Sequence, residues 1–312
     1  MLRIFSFILV LIFAPNIYSQ YDPAVENLGK KGLDQFQKGN YDEAIANFTR
    51  AIALTSQLKT TGNALRNSFA GDAEAIENAD LRDRISVIDP RTAMLYINRG
   101  NVYFSKNDLD TAISDYDRAL AILPGNAGAY HCRATAWLLK KDYSRALADY
   151  TKAIKLDPKL AKAYVGRGLL RLEMEDTKTA FEDFDLAVKA DPKSAEAYSY
   201  RGDAKRQIGD AAGALADFEY SMKLDKKLAN PYLGRAALRS AARDYPGAIS
   251  DLTKAIELDG RLANAYANRG YILLFTGHDA DGERDLDRAA AMAPWMRDEI
   301  AANIDRIKTA HK

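Results

Sequence analysis

Apolar and small residues return along this chain at a fixed step of 34. Tyr96, Tyr130, Tyr164, Tyr198, Tyr232 and Tyr266 form one column, and Ala93, Ala127, Ala161, Ala195, Ala229 and Ala263 form another. Small residues hold a third: Gly100, Ala134, Gly168, Gly202, Ala236 and Gly270. Later in each unit come Ala112, Ala146, Ala180, Ala214, Ala248 and Gly282, followed four positions on by Tyr116, Tyr150, Phe184, Phe218, Leu252 and Leu286. Pro124, Pro158, Pro192 and Pro294 close four of the units. The columns are read as two helices joined by a short turn in each unit. Small residues on both helices let the backbones approach, and the aromatic fills the space around the crossing. Asp108, Asp142, Asp176, Asp210 and Asp244 stand where a carboxylate caps the second helix. One such hairpin cannot bury its own apolar face, so the units must stack.

Six units fill residues 93–296. An earlier one spans 25–58, keeping Gly32, Ala44, Phe48 and Ala51. Between them, 59–92 has the length of a repeat but not its packing residues: Arg66, Asn78 and Arg82 replace the small, small and aromatic positions, while Pro90 keeps the proline. The pattern predicts a degenerate insert, loop over Lys59–Gly71 and helix over Asp72–Ser86. At the other end, Ile300, Ile304 and Ile307 share one face, predicting a capping helix within 297–312.

The motif Tyr96, Arg99-Gly100, Tyr103, Ala112, Tyr116, Ala119, Pro124 resembles the tetratricopeptide repeat family, with Arg in place of the usual Leu. The Tyr103 column departs from the pattern later, as Trp137, Arg171, Lys205, Arg239 and Leu273. The resemblance implies an all-α, right-handed solenoid whose first helices line a concave groove that takes protein segments. It implies groove positions at Ile97, His131 and Val165 (the fifth of each unit), at Asn101, Thr135, Leu169 and Asp203 (the ninth), and at Phe104, Leu138, Leu172 and Arg206 (the twelfth). The N-terminal half of that set is largely apolar, and Glu196, Asp203 and Arg206 make a polar cluster after it. The lysine that family members use to hold chaperone tails is missing at the fifth position, which argues against that ligand. An apolar or amphipathic segment of another protein suits the groove better. The same apolar residues could instead pack against neighbouring helices, or be covered by 59–92.

Two charged columns run in register: Arg99, Arg133, Arg167, Arg201, Arg235 and Arg269, each sixteen residues before Asp115, Asp149, Asp183, Asp217, Asp251 and Asp285. The first unit has Lys31 and Asn47 instead, so both partners change together. This predicts a structural ladder of ion pairs within units, Arg99 with Asp115; the alternative sets each Asp against the next unit's Arg. The guanidinium fork suits either arrangement. Matched charges leave little field for an acidic partner.

Composition narrows the remaining choices. With 44 basic and 43 acidic side chains the net charge is +1, and no basic stripe points to nucleic acid. The single Cys132 permits no internal disulfide, and His131, His278 and His311 are too scattered for a usual zinc site. Phosphate-loop, nucleophile-elbow and zinc-protease motifs are absent. His131 and Cys132, as helix neighbours, diverge, and Asp279–Glu283 lacks the spacing of a calcium loop. A non-enzymatic scaffold without a cofactor is therefore expected. Met1-Leu2-Arg3, an apolar run from Ile4 to Ala14, Pro15 and Ser19 have the form of a secretory signal peptide over residues 1–19, cut after Ser19. A secreted, periplasmic location follows as an expectation, with membrane attachment only if the signal is retained. Self-assembly into an envelope structure is the alternative role.

Overall fold

The computed structural model describes the backbone of residues 23–68 and 75–310, with side chains there except at 61–89, 308 and 310. The expected signal peptide and the middle of the expected insert lie outside those residues. Among the described residues the fold is all-α, a solenoid of helix–turn–helix repeats.

The helices are α1 (Pro23–Gln37), α2 (Tyr41–Ser68), α3 (Ala75–Ser105), α4 (Leu109–Ile122), α5 (Ala127–Leu139), α6 (Tyr143–Leu156), α7 (Ala161–Glu173), α8 (Thr177–Ala190), α9 (Ala195–Gln207), α10 (Ala211–Leu224), α11 (Asn230–Ala241), α12 (Tyr245–Leu258), α13 (Ala263–Phe275), α14 (Asp279–Met292) and α15 (Arg297–Ala310). They form two compact bodies that part between Leu170 and Arg171, inside α7. In the first, α1 packs on α2, α3 on α4 and α5 on α6; in the second, α9 packs on α10, α11 on α12 and α13 on α14.

Five of the second helices start the way the sequence requires. Asp108, Asp142, Asp176, Asp210 and Asp244 accept from the backbone N–H groups of Thr111, Arg145, Thr179, Gly213 and Gly247, satisfying donors a helix start leaves open. The turn before each cap contains one residue in the left-handed region. Gly39, Gly209 and Gly277 take it without steric cost, but Asn107, Lys141, Glu175 and Arg243 adopt φ of 60–63° in the same column. The cores repeat too: Phe48, Tyr116, Tyr150, Phe184, Phe218, Leu252 and Leu286 are fully buried. A Cβ on Gly100 would lie 2.7 Å from the Tyr116 ring. Where the aromatic becomes Leu286 the backbones close further, and a Cβ on Gly282 would lie 2.8 Å from the Gly270 carbonyl.

Two expectations need correction. Lys59–Ser68 is not a loop; it is the end of the 28-residue α2. Once a helix is nucleated each added residue is cheap, and the loss of packing residues does not by itself stop it. Pro90 does not end a unit either, because α3 runs through it from Ala75 to Ser105. A proline removes one helical hydrogen bond, and here helix continues on both sides of it. At the other end, Ile300 is buried beside Tyr266, Leu274 and Met296, with Ile304 and Ile307 packed against that cluster. α15 begins 34 residues after α13 does, so the cap occupies the register of a first helix.

Candidate functional site

The Arg column sits on the first helix of each repeat and the Asp column on the second. In five repeats the guanidinium grips the carboxylate of its own repeat with two bonds. Arg99 Nε and Nη2 donate to Asp115 at 2.7 and 2.8 Å, Arg133 to Asp149 at 2.7 and 2.8 Å, and Arg201 to Asp217 at 2.8 Å each. Arg235 binds Asp251 at 2.9 and 2.6 Å, and Arg269 binds Asp285 at 2.6 and 2.9 Å. In these five repeats the pairing is thus within the repeat, and the alternative with the next repeat's Arg is not the one formed there. The aspartates Asp115, Asp149, Asp183, Asp217, Asp251 and Asp285 are buried. The bonds to carboxylate raise the Arg99, Arg133, Arg201, Arg235 and Arg269 guanidiniums further above their ordinary range.

Each Arg does more than that pair. Its remaining nitrogen, Nη1, reaches back to the second helix of the preceding repeat. Arg99 donates to Thr49 Oγ1 at 2.9 Å, Arg133 to Asp117 at 2.6 Å, Arg167 to Thr151 at 3.4 Å, Arg201 to Asp185 at 2.8 Å and Arg269 to Thr253 at 2.9 Å; Arg235 lies 4.0 Å from Glu219. The same guanidinium lies over the Tyr three residues earlier, 5.2–6.0 Å from the ring centre in the six repeats. One side chain ties three helices together.

The departures in the Tyr103 column have a matching use. Arg171 Nη1 donates to Asp183 at 2.8 Å, Arg239 Nη1 to Asp251 at 2.8 Å, and Lys205 Nζ lies 2.9 Å from Asp217. Arg171 and Arg239 also donate to the carbonyls of Thr179 and Gly247. In the second body these carboxylates therefore carry an extra cation.

The groove positions divide by burial. Ile97, Asn101, His131, Thr135, Leu138 and Val165 are buried. Asn101 accepts from the Tyr116 hydroxyl at 2.8 Å; Thr135 shares a 3.0 Å bond with the Tyr150 hydroxyl and donates to the His131 carbonyl. Leu138 packs in the core with Tyr150 and Leu170. Burial pushes the His131 imidazole down to about 4 and the Cys132 thiol up to about 12. Neither His131 ring nitrogen has a hydrogen-bond partner among the described residues, and the ring lies 5.9 Å from that of Tyr150. The thiol is a packed side chain, not a poised nucleophile.

Half-buried or exposed are Phe104, Leu169, Leu172, Asp203 and Arg206. Asp203 and Arg206 approach to 3.7 Å on α9, with Glu196 two turns earlier on that helix. In the last repeat, Leu274 and Ala267 lie in the cluster that includes Ile300, and Tyr271 accepts a 3.3 Å bond from Asn303 of α15. Asp279–Glu283 lies in α14. Among the described residues no group of three or more His, Cys, Asp or Glu is placed to hold a metal ion.

Four models of the tetratricopeptide repeat match residues 25–57, 93–126, 127–160 and 165–227. A DnaJ homolog subfamily C member 7 homolog of Dictyostelium discoideum is 27% identical over 106 residues, 32% of this chain and 19% of that protein. The match thus spans about a fifth of that relative's length. A tetratricopeptide repeat protein from Parabacteroides merdae has the same fold at 20% identity, with a TM-score of 0.61 over 92% of this chain and all of the other. Pseudomonas aeruginosa pilF is similar at 21% identity and TM-score 0.58, over 72% of this chain and 99% of that one. Repeat length, helix pairing and small-residue crossings agree with these matches: the chain belongs to the tetratricopeptide repeat family.

Proposed function

We propose that the chain is an exported, non-enzymatic scaffold that binds an apolar or amphipathic segment of a partner protein on its first-helix faces. One observation carries the reading. The Arg and Asp columns are consumed in holding helices together, whereas the twelfth-position residues Phe104 and Leu172 are only half-buried, Phe104 keeping accessible surface while it packs against the cluster of Ile97, Tyr116 and Cys132. Apolar surface not taken up by packing between repeats is available to a partner. Export rests on the signal-like first nineteen residues, with the periplasm as destination. No helix among the described residues is long and apolar enough to cross a membrane.

The test is crosslinking and mass spectrometry on the natively expressed protein, comparing wild type with Phe104→Glu and Leu172→Glu. Leu138 is unsuitable for this purpose: at 6% exposure a charge there would unfold the repeat. Loss of a captured partner in either variant, with helix content intact, supports the reading; unchanged capture in both overturns it. N-terminal sequencing of the mature chain checks export, with Gln20 as the expected first residue.

Self-assembly is the second reading, favoured by Trp295. It is 78% exposed on the 3-10 turn between α14 and α15, with Met292 exposed nearby in sequence. A Trp295→Ser change that abolishes concentration-dependent size would support it; a concentration-independent monomer would end it.

A further inference from the structure

The ninth position of the first helix has its own hydrogen-bonding rule. Where the second helix carries Tyr116 or Tyr150, the ninth position fifteen residues earlier is polar and takes the hydroxyl: Asn101 and Thr135. Where the second helix carries Phe184 or Leu252, the ninth position is Leu169 or Ala237, with no polar group to satisfy. Tyr271, opposite Leu286, is bonded by Asn303. Asp203 breaks the rule. Its counterpart is Phe218, a fully buried ring without a hydroxyl.

No hydrogen-bond donor reaches the Asp203 carboxylate among the described residues, and its one ion-pair neighbour, Arg206, stands off at 3.7 Å. Burial lifts its pKa to about 6. One turn away lies Ser199, whose buried Oγ also has no partner among the described residues. Glu196, Ser199 and Asp203 fall at i, i+3 and i+7, hence on one face of α9. The nearby Tyr200 phenol is raised, first by burial and then by the carboxylates of Glu196 and Asp203.

A structural carboxylate in this protein looks different. Asp217 takes two bonds from Arg201 and a close contact from Lys205. Keeping a partly desolvated carboxylate with no donor is unfavourable in the free protein. The missing complement is a cation that brings N–H donors.

We propose that Asp203, with Ser199 and Glu196 beside it, is a recognition site for a basic side chain, lysine or arginine, of a partner polypeptide lying on α9. The Asp203 side chain is 30% exposed on a helix face, which suits a charge delivered on a long flexible stem. Half-buried Leu233 and Ala237, the fifth and ninth positions of their repeat, lie on α11, which packs against α9, and offer apolar surface to such a stem. This deepens the scaffold reading and rests on it.

Three twelve-residue Ala/Leu peptides, identical except for a central Lys, norleucine or Glu, test the site by fluorescence anisotropy with the full chain at low salt. The Lys peptide is expected to bind roughly tenfold tighter than the norleucine peptide. Asp203→Asn should remove that difference and leave the unfolding midpoint unchanged or raised, because no internal bond is lost. Asp203→Lys should transfer the preference to the Glu peptide. If all three peptides bind wild type equally, or if Asp203→Asn keeps the Lys preference, the Asp203 assignment is overturned and the scaffold reading stands. If none binds at millimolar concentration, both fall.

Discussion

Acid should weaken this fold through His131. The imidazole is 1% exposed, neither nitrogen has a hydrogen-bond partner among the described residues, and burial lowers its pKa to about 4 against an ordinary 6.5. The sign follows from which state takes the proton first. At pH 7 the ring is neutral in both states and contributes no pH dependence. Below 6.5 the unfolded chain protonates while the folded one does not, so stability is lost as pH falls from 6.5 to 4 and levels off below that. Those two pKa values give a loss of about 1 kcal/mol at pH 6, about 2 at pH 5 and about 3 at pH 4. The control is His131→Val, since Val165 fills the same column position in the next repeat. It removes two unsatisfied nitrogens and should be at least as stable as wild type at pH 7. Urea unfolding of both proteins from pH 7 to pH 4 measures the difference directly. Carboxylate titration affects the two alike and cancels. A difference that stays flat across the range would refute the assignment of a buried, neutral imidazole.

The ladder makes three further claims. Asp217→Ala leaves Arg201 and Lys205 facing each other without their shared carboxylate, and should cost about 3–5 kcal/mol in urea unfolding; a loss under 1 kcal/mol would mean the pair is ornamental. Thr151→Asp gives Arg167 the acidic acceptor that Asp117 gives Arg133, and should raise stability by no more than about 1 kcal/mol because the site is exposed, with the gain shrinking in high salt. Lys141→Gly relieves a left-handed residue at φ 60° where Gly209 sits in a later repeat, and should gain about 0.5–1 kcal/mol, read as a higher melting temperature.

The fold was legible because every hairpin repeats the same physical solution. Gly100 against Tyr116 and Asp108 on Thr111 recur closely enough for spacing alone to reveal them. The Arg–Asp pairs were legible for the same reason, as two invariant columns sixteen residues apart. The backward arm of each Arg was not, because its acceptor column mixes Thr49, Asp117, Thr151, Asp185, Glu219 and Thr253, all of which present an oxygen to the guanidinium but differ in residue type and charge. The second cation at Arg171, Lys205 and Arg239 registered only as a departure from tyrosine. The candidate site was least legible, since a register position does not say whether packing between repeats covers it. That is why Ile97 and Leu138 are core residues while Phe104 is half-buried. Lys59–Ser68 was misread because missing packing residues were equated with a missing helix.

A tandem repeat supplies its own control for separating architecture from recognition. At any column, the other repeats show what the fold needs there, so a residue that departs can be tested against its local partners. Arg171 departs from Tyr103 and finds Asp183, which makes the change architectural. Lys205 departs and finds Asp217, with the same meaning. Asn101 and Thr135 are polar where the same column has Leu169 and Ala237, and each finds a tyrosine hydroxyl. Asp203 departs, and the residue fifteen positions on is Phe218, which has no hydroxyl to offer. Stability alone would favour Leu or Ala there, since removing a poorly partnered, desolvated carboxylate relieves a cost. The charge is worth keeping only if something outside the fold completes it, and that is the ground on which Asp203, rather than the six-fold Arg column, is the residue to follow toward a partner.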